Sequence, residues 1–140
     1  MYSYMHRGPL LIVLSGPSGV GKDAILNQMR LSGSPLHFCV TATTRSIRPN
    51  EKDGVDYNFL AHTTFMTMMK QGEFLEYAEV YGNWYGVPKP QIRDALGQGK
   101  DILVKIDVQG AATIKRLAPQ AVLVFVVPPS MHELERRLRW

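Results

Sequence analysis

The sequence contains a single cysteine, Cys39, and no run of apolar residues approaches the roughly 20 that a membrane helix needs. One cysteine cannot form a disulfide within the chain, and in its apolar surroundings we expect the thiol to behave as a small buried hydrophobic group. Residues 1–8 also lack the apolar core of a secretory signal peptide. These absences exclude a disulfide scaffold and argue against a membrane partner. They favour a reducing compartment, either the cytoplasm or an organelle matrix.

A strong charge imbalance is also absent, since 16 Lys and Arg against 12 Asp and Glu give a net charge of +4. No basic run carries the interleaved aromatic residues typical of nucleic-acid binding. The nearest candidate, Arg136–Arg139, is more typical of a solvated helix face or of an edge that faces phosphate. We therefore expect no nucleic-acid partner, and an anionic small ligand suits the charge without being identified by it. Nothing in the sequence indicates an oligomeric state.

A glycine-rich loop lies between a predicted strand, Leu10–Leu14, and a predicted helix, Lys22–Arg30. The loop reads Gly16, Pro17, Ser18, Gly19, Val20, Gly21, Lys22, and Asp23 follows it. A strand, then GxxxxGK, then a helix distinguishes a triphosphate-binding loop from an ordinary glycine turn. The glycines let successive N–H groups point at one anion, and the helix N-terminus adds partial positive charge. We expect Lys22 to contact the β- and γ-phosphates of a nucleoside triphosphate.

Asp23 departs from the usual pattern, in which a Ser or Thr hydroxyl after the lysine contacts Mg²⁺. A carboxylate is also a hard oxygen ligand that suits Mg²⁺, so Asp23 is a candidate metal ligand. Acidic residues are equally favoured in the first turn of a helix. The sequence leaves both interpretations of Asp23 open.

Strands and helices alternate along the chain. We predict strands over 37–41, 73–81, 102–106 and 121–127, and a turn over 82–86. Helices are predicted over 88–96 and 110–117. A further predicted helix is capped by Thr63 or Thr64 and ends at Gly72, and the last predicted helix begins with a Ser130–Glu133 capping box. This alternation predicts an α/β protein with a three-layer core and a parallel sheet. We expect one domain, with a core formed by 8–39 and 88–140. The compositionally different segment of about 40–87 is expected to form a smaller, mixed α+β insert over the phosphate loop.

The polar segment 41–59 concentrates groups that bind anions. Arg45 and Arg48 can each donate two parallel hydrogen bonds to phosphate oxygens, and Tyr57 can add a hydroxyl. Most arginines are nevertheless exposed on protein surfaces. These residues alone therefore do not decide between a phosphate site and a solvated loop.

Taken together, the motifs resemble the guanylate kinase family, whose members transfer a phosphoryl group from ATP to GMP. The matching segments are Gly16–Lys22, Thr43–Arg45 with Arg48, Gly54–Phe59, Phe74–Tyr77, Gly82–Gly86 and Ile106–Gly110. They occur in the family's order and at its spacing, over nearly the whole chain.

The resemblance implies a role for each matching residue. Arg45, Arg48, Tyr57 and Tyr85 would bind the GMP phosphate, and Thr41, Glu76 and Asp107 would lie on the guanine side, with Asp107 acting directly, through water or through neighbouring arginines. ATP would be the co-substrate in the loop Gly16–Asp23, and Mg²⁺ the cofactor. We expect Lys22, Arg45 and Arg48 to be catalytic by neutralising charge, with no side-chain nucleophile, because phosphoryl transfer depends mainly on positioning.

The chemistry of guanine suits a carboxylate at position 76. One carboxylate can accept both the N1–H and the exocyclic amine on one edge of guanine, whereas adenine presents a bare N1 lone pair that Glu76 would repel. Sites of this kind are selective because the wrong base leaves buried polar groups unpaired. The alternative is an exposed strand residue, although Phe74, Leu75 and Tyr77 favour partial burial.

Two further positions depart from the family. Lys105, two residues before Asp107, stands where the family often has an acid, and it could pair with Asp23 or Asp107 or point away. Val87 stands where a hydroxyl side chain often assists at the base, so Thr41 and Glu76 would carry more of the recognition.

The chain stops at Trp140 inside a predicted helix, whereas the family continues into a lid bearing arginines and a further strand and helix. We therefore expect a C-terminal truncation with the lid and C-terminal elements missing. Such a piece would be at best weakly active, because arginines of this kind are worth on the order of 10³-fold.

Two alternatives remain. A non-catalytic guanylate-kinase-like module would bind phosphopeptides, but such modules typically have a degraded phosphate loop. A sugar-phosphate kinase of the same fold would tolerate Asp23 but would not need the guanine-reading Glu76.

Overall fold

A computed structural model describes residues 8–17 and 19–138. The strands are β1 (Leu11–Ser15), β2 (His37–Phe38), β3 (Ala42–Thr43), β4 (Asn58–Phe59), β5 (Phe74–Val80), β6 (Asn83–Pro88), β7 (Ile102–Lys105) and β8 (Val122–Phe125). The helices are α1 (Lys22–Leu31), α2 (His62–Lys70), α3 (Lys89–Gly97), α4 (Val108–Leu117) and α5 (Met131–Leu138). The predicted α/β fold is confirmed. Trp140 and Ser18 lie outside the described residues.

The core is a parallel sheet in the order β2-β7-β1-β8. Leu11 pairs with Ile102 and Leu14 with Lys105, so β1 and β7 end side by side. Val13, Ile102 and Val104 are fully buried at the centre of the sheet, because apolar residues in a parallel strand are covered on both faces. The loop that follows β1 and the polar residues that follow β7 therefore meet at one edge, where parallel sheets commonly form their binding sites.

The second sheet is mixed, in the order β4-β3-β6-β5. β3 and β4 are parallel, whereas β6 is antiparallel to both β3 and β5. Helix α2 packs on this sheet through Phe65, whose ring stacks on Phe74 with centroids 4.4 Å apart. The predicted combination of a parallel core and a smaller mixed unit is thus confirmed.

Three local predictions were wrong. The predicted turn at 82–86 is correct only at Gly82, and residues 83–86 belong to β6, because their backbone pairs with β5. Neither Thr63 nor Thr64 caps α2, which begins after Ala61 without a side-chain cap. Helix α4 begins at Val108 rather than Gly110, because the Asp107 carboxylate accepts a 2.7 Å hydrogen bond from the Gly110 N–H and caps the helix.

Strand β2 is shorter than predicted, as β8 is, and one cap is confirmed. β2 stops at Phe38, and the Val40 N–H donates instead to the Gln91 side chain at 2.8 Å, which takes the backbone out of the sheet. Ser130 caps α5 by accepting from the Glu133 N–H at 3.1 Å.

Cys39 is half-buried, and burial raises the pKa of its thiol to about 12. Among the described residues, no helix is long and apolar enough to cross a membrane.

Candidate active site

The phosphate loop connects the buried end of β1 to α1 and requires glycine at two points. Gly16 has φ 148°, and a Cβ there would collide with the Val126 carbonyl oxygen. Gly21, which precedes α1, has φ 105°. Lys22 folds back over the loop, and its ammonium donates to the Gly16 carbonyl at 2.6 Å. The loop thus holds a cation at the N-terminus of a helix, as the sequence predicts.

Position 137 is part of the loop's support, which the sequence did not indicate. Arg137 on α5 donates to the Val20 carbonyl at 3.0 Å and to Glu133 at 2.9 Å. The Arg137 side chain is therefore not simply part of a solvated face, and Arg139 lies outside the described residues. The arginine four residues after Glu133 indicates only that the two side chains share one helix face. No signal in the sequence points to the contact with Val20.

Lys105 pairs with Asp23, which selects one of the arrangements left open by the sequence. Its ammonium lies 2.5 Å from Asp23 Oδ1 and 5.8 Å from the centroid of the Tyr57 ring. Asp23 is 79% exposed and Lys105 is 27% exposed. Burial lowers the pKa of Lys22, and the positive charge of Lys105 lowers it further, while Asp107 and Asp23 oppose this. Four charged groups, two lysines and two aspartates, therefore lie together at the loop.

Arg45 is held by Glu51, a residue that the sequence reasoning missed. Arg45 donates to both carboxylate oxygens of Glu51 at 2.9 Å, and the Arg48 N–H donates to the same carboxylate at 2.9 Å. The hydrogen bond from Arg45 lowers the pKa of Glu51 to about 2. The guanidinium also lies over the Tyr57 ring at 5.3 Å. An acid three residues after Arg48 in a polar loop is the signal that could have identified Glu51.

A cavity of about 310 Å³ brings together residues predicted from distant parts of the chain. Its lining includes Lys22, Thr41, Tyr57, Glu76, Tyr85, Val87, Lys105 and Asp107. The three residues assigned to the guanine side are therefore in one place, together with two of the four assigned to the GMP phosphate. Val87 is only 1% exposed, so it contributes an apolar floor.

The two arginines open into a neighbouring cavity of about 280 Å³. Its lining includes Asp23, Thr41, Arg45, Arg48, Glu51, Tyr57 and Lys105. The structure thus does not place Arg45 and Arg48 in the cavity that holds Glu76. Of the described residues, Thr41, Tyr57 and Lys105 line both cavities.

Glu76 is half-buried on β5, where it faces Val87 across the sheet. Burial raises the pKa of Glu76 to about 7, and the negative charge of Asp107 contributes to the same direction. A half-buried carboxylate with a raised pKa in a cavity is a common feature of binding sites. It favours a ligand that donates hydrogen bonds to the ionised form.

The described residues contain no group of three or more His, Cys, Asp or Glu that could hold a metal ion by themselves. Magnesium, however, is usually held by one or two carboxylates together with substrate phosphates and water. Asp23 is an exposed carboxylate next to Lys22, and Lys105 contacts its Oδ1. These residues fit a magnesium ion that arrives with a nucleotide.

Comparisons with known proteins point to one family. Residues 9–140 match the family model described as guanylate kinase. The chain is 47% identical over 131 residues to guanylate kinase 2, chloroplastic/mitochondrial, of Oryza sativa subsp. japonica, covering 93% of this chain and 46% of the relative. It is 46% identical over 135 residues to the guanylate kinase of Carboxydothermus hydrogenoformans, covering 96% and 66%.

A solved structure shows the same fold. The crystal structure of guanylate kinase from Anaplasma phagocytophilum matches with a TM-score of 0.80 and 37% identity, covering 93% of this chain and 66% of that one. The chain thus spans about half to two thirds of the length of the proteins it matches.

Proposed function

This chain belongs to the guanylate kinase family, and from that premise we propose that it phosphorylates GMP with ATP to give GDP and ADP. The observation that carries the proposal is the cavity in which Lys22 of the phosphate loop meets Glu76 and Asp107. The ammonium that would contact a triphosphate and the carboxylates that would contact a purine edge therefore line the same cavity. Thr41, Tyr57 and Tyr85 complete that lining.

ATP is the proposed donor, with its triphosphate in the loop Gly16–Asp23. The donors are the loop's backbone N–H groups and the ammonium of Lys22, which already contacts the loop at Gly16. Magnesium, when bound, neutralises the triphosphate oxygens, and the exposed carboxylate of Asp23 is the residue proposed to hold it. Ser18 belongs to the proposed site by its position in the loop.

The GMP phosphate is the proposed ligand of Arg45, Arg48, Tyr57 and Tyr85. Arg45 keeps N–H groups for a phosphate despite its pair with Glu51, since a guanidinium has five of them. Glu51 orients Arg45 and, by accepting from the Arg48 backbone, fixes the loop between the two arginines. This loop brings positive charge to the wall shared with the Glu76 cavity.

The guanine base is the proposed ligand of Glu76, Thr41 and Asp107. The ionised Glu76 carboxylate accepts from N1–H and from the exocyclic amine, and these bonds compensate for the burial that raises its pKa. Asp107 is fixed by its bond to the Gly110 N–H, so its second oxygen and its charge are presented to the cavity at a constant place.

The proposed transfer forms one P–O bond and breaks another. An oxygen of the GMP phosphate attacks the γ-phosphorus of ATP, and the bond from that phosphorus to the β–γ bridging oxygen breaks. The bridging oxygen leaves with the electron pair on ADP, and GDP is formed. Lys22, Arg45 and Arg48 neutralise the charge on the phosphates, and no covalent enzyme intermediate is needed.

An acceptor comparison tests the proposal. The release of ADP from ATP is measured with GMP, AMP and ribose phosphates as acceptors. We expect ADP release with GMP and at most slow release with AMP, because adenine cannot donate to Glu76. Turnover with ribose phosphates and not with GMP would instead establish a sugar-phosphate kinase. Binding of GMP without turnover would refute the proposed transfer by this chain.

We also propose a location in the cytoplasm or in an organelle matrix. The proposal is supported by the single cysteine and by relatives from bacteria and one named as chloroplastic/mitochondrial.

A further inference from the structure

We propose that Lys105 is a further catalytic residue, whose ammonium contacts the donor and acceptor phosphates where they meet, and that Asp23 is the positioning residue that holds it there. The inference rests on the proposed function, because it requires two phosphate groups in neighbouring cavities.

The position of Lys105 in the fold is the first argument. Lys105 is the last residue of β7, and β7 lies beside β1, whose end leads directly into the phosphate loop. Its side chain lines the cavity that contains Lys22 and Glu76, and also the cavity that contains Arg45 and Arg48. Among the described residues that line both cavities, Lys105 is the one that carries a charge. It therefore stands at the boundary between the donor loop and the arginine loop.

The partners of the ammonium are the second argument. Asp23 Oδ1 lies 2.5 Å from Lys105 Nζ, and the Tyr57 ring lies on its other side at 5.8 Å. Asp23 belongs to the donor loop's helix, whereas Tyr57 belongs to the proposed acceptor-phosphate set. Lys105 thus contacts one residue of each proposed phosphate site at the same time.

The weakness of this ion pair is the third argument. Asp23 is 79% exposed, so water screens its attraction for Lys105, and exposed pairs of this kind contribute little to stability. Phosphate oxygens carry more negative charge than one carboxylate and can compete for the ammonium. Two phosphates that approach each other repel, and a cation placed between them lowers that repulsion most when they are closest. Such a contact is stronger during transfer than in either binary complex, which is the condition for accelerating a reaction.

The test compares ligands that occupy one of the two proposed phosphate sites with a ligand that occupies both. Calorimetry measures the affinity of the chain for GMP alone, for ATP alone, and for a dinucleoside pentaphosphate with adenosine at one end and guanosine at the other. The variants are Lys105→Met, which removes the charge, Lys105→Arg, which retains it, and Asp23→Asn. Lys100→Met, which alters an exposed lysine just before β7, is the matched control.

We expect Lys105→Met to lower the affinity for the pentaphosphate on the order of 10- to 100-fold, as for the loss of a charge-assisted hydrogen bond. The affinity for GMP alone should fall less than about 3-fold, because the arginines still bind its single phosphate. Lys105→Arg should recover most of the loss, Asp23→Asn should show a smaller loss, and Lys100→Met should show none. The kcat of Lys105→Met should fall by a similar factor with little change in the KM for GMP.

Three results would overturn the inference. Unchanged pentaphosphate affinity in Lys105→Met would refute it while leaving the proposed function intact, provided that the unaltered chain binds GMP. Equal losses for GMP and pentaphosphate, without recovery in Lys105→Arg, would show a structural role instead. Failure of the unaltered chain to bind any of these nucleotides would refute the proposed function and the inference with it. If thermal unfolding shows that Lys105→Met does not fold, Lys105→Gln takes its place with the same thresholds.

Discussion

Lowering the pH from 8 to 6 should weaken GMP binding about tenfold through Glu76 alone. The pKa of this carboxyl is raised to about 7, chiefly by burial and further by Asp107. A group with that pKa is about 90% ionised at pH 8 and about 10% ionised at pH 6. Only the ionised form accepts both hydrogen bonds from the guanine edge, so the apparent affinity should follow the ionised fraction.

The stability of the unliganded chain should change with pH in the opposite direction. In the unfolded chain the Glu76 carboxyl has its ordinary pKa of 4.5, whereas burial in the folded chain raises this pKa to about 7. The folded state therefore binds more protons between these values, and its stability falls as the pH rises through this window. The side chain is only half-buried, so solvent screening reduces the effect to about 1 kcal/mol.

Calorimetry of GMP binding from pH 6 to pH 8 measures the first effect, and urea unfolding over pH 4 to 8 measures the second. The GMP phosphate itself titrates at about pH 6, and Glu76→Gln isolates that contribution. We expect Glu76→Gln to lose most of its GMP affinity at pH 8 and to be more stable there without ligand. Glu79→Gln, an exposed glutamate on the same strand, should change neither property. A pH dependence in Glu76→Gln as steep as that of the unaltered chain would refute this reasoning.

Three further predictions concern the loops. Gly16→Ala should lower the free energy of unfolding, measured with urea, by about 2 kcal/mol, because the new methyl group collides with a backbone carbonyl. Gly97→Ala, where the surrounding space is open, should leave the free energy of unfolding nearly unchanged. Glu51→Gln should raise the KM for GMP about tenfold and leave the KM for ATP unchanged, because the charged partner is lost at Arg45 and at the Arg48 N–H and not at the ATP loop. Equal changes in both KM values would contradict this. Asp23→Ala should shift the midpoint of the Mg²⁺ titration of ATP binding on the order of tenfold, and an unshifted midpoint would reject a metal role.

The parts of the fold that depend on local sequence could be predicted. The glycines and Lys22 of the phosphate loop act through the backbone of one continuous segment, and β1 and α1 on either side have distinct apolar patterns. Predictions failed where pairing across the chain decides the structure. Residues 83–86 contain turn-forming types, yet they extend as part of β6 because β5 supplies backbone partners. Local propensity yields to such tertiary hydrogen bonds.

The sequence by itself determined which residue types are available: a loop for a triphosphate, arginines for a phosphate and a carboxylate for a base edge. Only the tertiary structure decided which of these side chains lie in contact with each other. Lys105 and Asp23 are 82 positions apart, and their pairing follows from the adjacency of β7 and β1. The raised pKa of Glu76 likewise depends on burial and on the charge of Asp107. Electrostatic energies depend on distance in space and on solvent exposure, and neither quantity can be obtained from the order of residues along a chain.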